Sequence, residues 1–135
     1  MKTLLLSLLL VPAVALAGEQ PDLDIDPDRI TVSGISSGAH MATQLHIAYS
    51  DLFSGAAILS GGPYNCAENS LIKALQRCTT NTESPLPVAD LAAGIREAAA
   101  SGNVADPENL ADDRVWLFRG SRDSKVSALV HGAAA

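Results

Sequence analysis

The sequence predicts an α/β fold built on a parallel sheet, and two observations carry that expectation. Three short apolar runs, at residues 30–33, 55–62 and 115–118, alternate with segments of helical character, giving the order strand, helix, strand, helix, strand. The runs are continuously apolar rather than alternating, which is the pattern of strands covered on both faces. No internal repeat interrupts this order, and the only biased tract is an alanine-rich helix.

The elements follow in turn. Residues 1–17, MKTLLLSLLLVPAVALA, read as a secretory leader: Lys2, an apolar run, then Ala15, Leu16 and Ala17 as the small-residue cleavage pattern. The apolar run is shorter than the ~20 residues of a comfortable membrane span, so an uncleaved anchor is the weaker reading. Cleavage after Ala17 leaves residues 18–135 as one partial domain, secreted or periplasmic. Residues 18–28 are acidic, broken by proline and extended. Asp22, Asp24 and Asp26 are spaced like the start of a calcium loop, but Pro27 stands where such a loop needs glycine, and no glutamate follows at the twelfth position. Residues 30–33 form the first strand. Met41, Leu45, Ala48 and Leu52 recur at helical spacing after it, and 55–62 is the second strand. A short helix is expected within 68–77, a polar loop over 79–87, and a helix from 88 that ends at Gly102 as its cap. Residues 106–114 read as a linker, 115–118 as a third buried strand, 120–123 as a turn, and the remainder as the start of another helix.

Composition narrows the function. The net charge of −6 and the lack of any basic run argue against nucleic acid or an anionic membrane surface as partners, and no protein partner is implied. Cys66 and Cys78, in a chain expected to be exported, favour a disulfide. Two free buried thiols are the alternative, and a metal site is disfavoured because neither cysteine has a Cys or His at ligand spacing.

The chemistry is concentrated in Gly34-Ile35-Ser36-Ser37-Gly38, which matches G-x-S-x-G between a strand and a helix. In that context the motif is a tight turn that throws the central serine clear of the sheet, and both flanking glycines are expected to be there because side chains would clash. Of Ser33, Ser36 and Ser37, only Ser36 has glycine two residues before and two after it. The backbone N–H of Ser37, opening the helix, is positioned to act as an oxyanion donor. A glycine-rich structural turn is the competing reading. A serine nucleophile needs a base, oriented by an acid in the order Ser, Asp or Glu, His. Asp123 follows the third strand and its glycine turn, where the acid belongs, with a plain helix cap as its alternative role. Asp90, Asp106, Asp112 and Asp113 fit less well. None of the histidines convinces as the base. His40 and His46 lie on the same helix as Ser36, and His131 follows Asp123 by only eight residues.

Residues 26–67, DPDRITVSGISSGAHMATQLHIAYSDLFSGAAILSGGPYNCA, resemble the single-domain poly(3-hydroxybutyrate) depolymerases, secreted serine esterases of α/β-hydrolase type. RVWLFRGSRDSKV resembles the strand and turn that carry the family's acid. The resemblance covers most of residues 26–126 and implies Ser36 as nucleophile, Asp123 as acid, and Cys66 with Cys78 tying down a loop beside the site. It implies an ester or polyester substrate, no metal and no organic cofactor, and no membrane attachment once the leader is removed. The elbow strand comes almost at once after the leader, which implies a circularly permuted order of sheet strands. The family's triad histidine falls beyond Ala135, so the chain is expected to be a truncated member, either part of an active esterase or a non-catalytic remnant of one. Ala39 and His40 stand where the family often has glycine and an aromatic residue.

Overall fold

The structure, a computed structural model, describes residues 23–81 and 84–135; the leader expected over residues 1–17 lies outside them. Strands β1 (Val32–Ile35), β2 (Gly55–Leu59) and β3 (Arg114–Phe118) form a parallel sheet in the order β1-β2-β3. Four α-helices accompany it: α1 (Ser37–Ala48), α2 (Leu71–Gln76), α3 (Val88–Ala100) and α4 (Ala128–Gly132). Among the described residues no helix is long and apolar enough to cross a membrane.

Local chemistry sets the boundaries. The lead-in contains a 3-10 helix, Pro27–Arg29, where extended chain was expected, and the linker contains another, Pro107–Asp112. In both, an Asp-Pro pair supplies the start. The aspartate (Asp26, Asp106) accepts from the N–H two residues on, and proline opens the helix with a preset φ. The first of these turns delays β1, so pairing with β2 begins at Val32 opposite Ala56 rather than at Ile30. Helix α3 ends as expected at Gly102, which has a φ of +71°. The N–H groups of Gly102 and Asn103 return to the carbonyls of Ala99 and Ala98, closing the helix end.

The sheet is not buried on both faces. Val32, Ala56, Ile58 and Leu117 point to one side and pack with Ala39 and Ala42 of α1. On the other side, Ile35, Leu59 and Phe118 lie in register, as do Ser33, Ala57 and Trp116. There Ile35 is 68% exposed, Trp116 57% and Phe118 51%, and the rings of Trp116 and Phe118 stack with centroids 5.7 Å apart. The expectation of a buried third strand is therefore corrected. Only β2, hydrogen-bonded on both edges, is buried along most of its length. A second small core gathers Cys66, Cys78, Leu86, Val126 and Val130 beneath α4.

At the amino ends of the strands, α1 is fastened to the segment that enters β3. His46 Nε2 and Asp113 Oδ2 lie 2.7 Å apart with both side chains buried. Ser50 Oγ donates to the Asp106 carbonyl at 2.9 Å, and the Ala105 N–H to the Ala48 carbonyl at 3.0 Å. Removing one partner of a buried pair leaves the other without its hydrogen bond, so Asp113→Ala is expected to destabilise the fold by about 3 kcal/mol in urea unfolding.

Candidate active site

The parallel arrangement brings three strand ends to one edge of the sheet, and the site is built there. Ser36 is the first residue past β1 and has φ 56° and ψ −118°. Glycine adopts that combination freely, whereas for serine it stores roughly 1–3 kcal/mol of strain. Its backbone is locked from both sides: the Ser36 N–H donates to the Leu59 carbonyl at 2.9 Å, and the Ser36 carbonyl accepts from the His40 N–H at 3.0 Å. Serine preceding a helix normally caps it with its side chain. Ser36 makes no such cap bond and is exposed, so its hydroxyl is left for other partners. Ser37, opening α1, has an N–H with no intrahelical acceptor, on the helix end that carries partial positive charge.

The two flanking glycines of the motif do not share one reason. A Cβ at Gly34 would overlap the Gly38 carbonyl group and come within 2.7 Å of the Ala39 nitrogen, so β1 and α1 meet there backbone to backbone. At Gly38 a Cβ would meet nothing within 4 Å. The expectation that both glycines prevent a clash holds at Gly34 and is corrected at Gly38.

Asp123 stands beyond β3, on the turn closed by its own N–H to the Gly120 carbonyl at 3.0 Å. Its Oδ1 accepts from the N–H groups of Lys125 at 2.8 Å and Val126 at 3.0 Å. The loop backbone is pinned by Arg119, which donates to the carbonyls of Asp123 and Val126, both at 2.7 Å. The Val126 N–H, the Ser60 side chain and the Lys125 N–H, with a smaller contribution from the Arg119 charge, hold the Asp123 carboxyl down at about 2. The helix-cap alternative for Asp123 does not apply to α4, whose cap is Ser127, accepting from the Val130 N–H.

None of the three histidines hydrogen-bonds Asp123 among the described residues. His46 is held by Asp113 at the opposite ends of the strands, roughly 16 Å away along a five-residue strand. His131 Nδ1 lies 3.3 Å from the Gly61 carbonyl. His40 reaches the pocket beside Ser36, with its ring against Gly62. Burial holds the His40 imidazole below its ordinary value, a backbone contact to Cys78 works the other way, and its buried Nε2 has no partner.

A cavity of about 510 Å³ opens against Ser36 and Ser37. Its far wall is residues 65–71 together with the Cys66–Cys78 disulfide. That wall is tightly wound, since Asn65, Glu68 and Asn69 all have positive φ. Glu68 pairs with Lys73 at 2.5 Å and with Arg77, and the Asn65 N–H donates to Gln44 Oε1 of α1 at 3.0 Å. Glu68, Gln44 and Ser60 carry no sequence motif. The one hint at Ser60 is its place just before Gly61-Gly62.

Comparison with known proteins shows what the chain is similar to. No family model matches the chain. A poly(3-hydroxybutyrate) depolymerase of Delftia acidovorans is 40% identical over 124 residues, 91% of this chain and 25% of that protein. A polyhydroxybutyrate depolymerase of Talaromyces funiculosus is 33% identical over 107 residues, 78% of this chain and 30% of that protein. Over most of its own length the chain is thus similar to poly(3-hydroxybutyrate) depolymerases. Among solved structures, the PHB depolymerase of Penicillium funiculosum matches with TM-score 0.67 and 34% identity, over 82% of this chain and 33% of that one. A serine-to-alanine variant of a PHB depolymerase complexed with an R3HB trimer matches with TM-score 0.70 and 32% identity, over 84% and 34%. The chain thus spans about a quarter to a third of the length of these PHB depolymerases.

The two glycines give a contrast that reads the elbow directly. Gly34→Ala forces apart β1 and α1 and is expected to cost about 3 kcal/mol in urea unfolding, whereas Gly38→Ala, with open space for its methyl, changes stability by less than about 1 kcal/mol.

Proposed function

We propose that this chain carries the nucleophile and acid of an exported serine esterase acting on poly(3-hydroxybutyrate) or related short-chain hydroxyacyl esters. The observation that carries the reading is the uncapped, exposed Ser36 hydroxyl, held at φ 56° at the mouth of the cavity in a chain 33–40% identical to PHB depolymerases. Ser36 Oγ attacks the ester carbonyl, and the negative charge that develops on the carbonyl oxygen is met by the Ser37 N–H and a second donor. Collapse of the tetrahedral adduct expels the alcohol and leaves an acyl group on Ser36, which water then removes. Asp123, ionised over the working range, orients the imidazole that shuttles the proton. The apolar side chains lining the cavity, Met41, Leu71 and Leu75 among them, suit a chain of methyl-bearing ester units.

The proposal places the imidazole on a histidine other than the three in this sequence. His46 is committed to Asp113, His131 faces Gly61, and His40 sits on the same helix as the nucleophile with its ring packed on Gly62. It also takes the sheet as part of a permuted α/β-hydrolase order, with the nucleophile strand first, and residues 1–17 as an export leader.

Assay of the 135-residue chain on a soluble aryl butyrate tests both parts. The expected result is at most slow turnover, roughly 10³-fold over water, which the oxyanion donor and binding supply without the triad and which Ser36→Ala, His40→Ala and His131→Ala all leave little changed. Fast turnover that survives Ser36→Ala contradicts the nucleophile. Fast turnover lost on substituting one histidine places the base within these residues.

A further inference from the structure

The loop that carries Asp123 is held at its two ends by different means. It starts from Phe118, the last residue of β3, whose carbonyl accepts from the Ser60 N–H at 2.7 Å and is so tied to the end of β2. It finishes at Val126, which is buried in the small core with Cys66, Cys78, Leu86 and Val130. Beside it, the Ser127 N–H donates to the Thr79 carbonyl at 2.8 Å. Between these anchors residues 119–125 form neither helix nor strand, and Ser121, Arg122, Ser124 and Lys125 are exposed. Packing does not set where Asp123 stands, so its hydrogen bonds must.

Arg119, the first residue past β3, grips the loop at two points. Its Nε donates to the Val126 carbonyl and a terminal guanidinium nitrogen to the Asp123 carbonyl, each at 2.7 Å. Asp123 Oδ1 in turn accepts from the N–H groups of Lys125 at 2.8 Å and Val126 at 3.0 Å. Residues 123–126 are thus held by their carbonyls from Arg119 and by their amides from the carboxylate. Two donors fill the lone pairs of one carboxylate oxygen, so an imidazole N–H falls to Oδ2. A guanidinium suits the first task because its donors leave a rigid plane as a fork, whereas a lysine ammonium is one point on a flexible stem. The geometry points to Arg119 as a positioning residue: its forked bond to the Asp123 and Val126 carbonyls sets the loop so that the acid meets the catalytic imidazole in a fixed orientation. The inference rests on the reading of Asp123 as the acid, but the hold on the carboxylate is measurable whether or not the chain turns over ester.

Arg119→Lys separates the fork from the charge, since lysine keeps the positive charge but cannot hold both carbonyls in one plane. Carboxyl ¹³C titration of the 135-residue chain, from about pH 6 down to about pH 3 across the ordinary carboxylate range, reads the acid. In the parent protein the Asp123 resonance stays nearly flat, in keeping with a midpoint of about 2 to which the Val126 N–H contributes most and the Arg119 charge least. In Arg119→Lys it is expected to curve: the loop relaxes, the Lys125 and Val126 N–H groups leave Oδ1, and the midpoint moves up. At pH 7, where acid unfolding plays no part, those two amides are expected to exchange faster than in the parent. Their acceleration should exceed that of the Ile58 amide, buried in the central strand, which reports on the whole fold. An Asp123 resonance as flat as the parent's, or loop amides no faster, would overturn the positioning role. Equal acceleration of the loop and Ile58 amides would overturn it too, by making Arg119 a residue of global folding. Fast turnover that survives Ser36→Ala would remove the esterase reading and leave these signals unmoved.

Discussion

Strand β1 and helix α1 meet at Gly34 so closely that a Cβ there would overlap the first turn of the helix, and the site takes its shape from that crossing. The chain has no room for an ordinary connection, so it reverses within one residue, and Ser36 takes the strained conformation. Because the residue before the helix is strained, its side chain does not fold back to cap the helix, and the hydroxyl stands free. The small side chains of Ala39 and Ala42, both fully buried, let α1 lie flat on Val32, Ala56 and Ile58. A larger residue at either position would lift the helix and release the turn.

The two ends of the sheet do different work. At the amino ends, the buried His46–Asp113 pair and the Ser50–Asp106 bond fasten the far end of α1 to the approach of β3. At the carboxyl ends, Ser36 and Ser60, each just beyond its strand, are anchored by a main-chain bond to the neighbouring strand. This is where ligands sit in open parallel α/β sheets generally. The pocket wall opposite is held by covalent and ionic ties, the Cys66–Cys78 disulfide and Glu68 with Lys73 and Arg77, rather than by a deep apolar core.

The elbow was legible in the sequence because its geometry forbids side chains at Gly34 and leaves a five-residue trace. The order of strands and helices was legible from apolar runs and from the glycine that stops α3. Burial of β3 was misjudged for a physical reason: Val115, Trp116, Leu117 and Phe118 are apolar whichever face they occupy, and composition does not report what covers them. Gly38 matched the motif, yet its neighbourhood is open. The His46–Asp113 pair joins residues 67 apart. That pairing leaves no local spacing to read, because it arises from the sheet's register.

The central claim is that the fold holds the Ser36 backbone in a strained conformation in order to present its hydroxyl. Comparing Ser36→Gly with Ser36→Ala in urea unfolding measures that strain most directly, since both remove the hydroxyl and only glycine accepts φ 56° and ψ −118° freely. The account predicts that Ser36→Gly is more stable than Ser36→Ala by about 1 kcal/mol or more. Equal stabilities, or a less stable glycine variant, would contradict it.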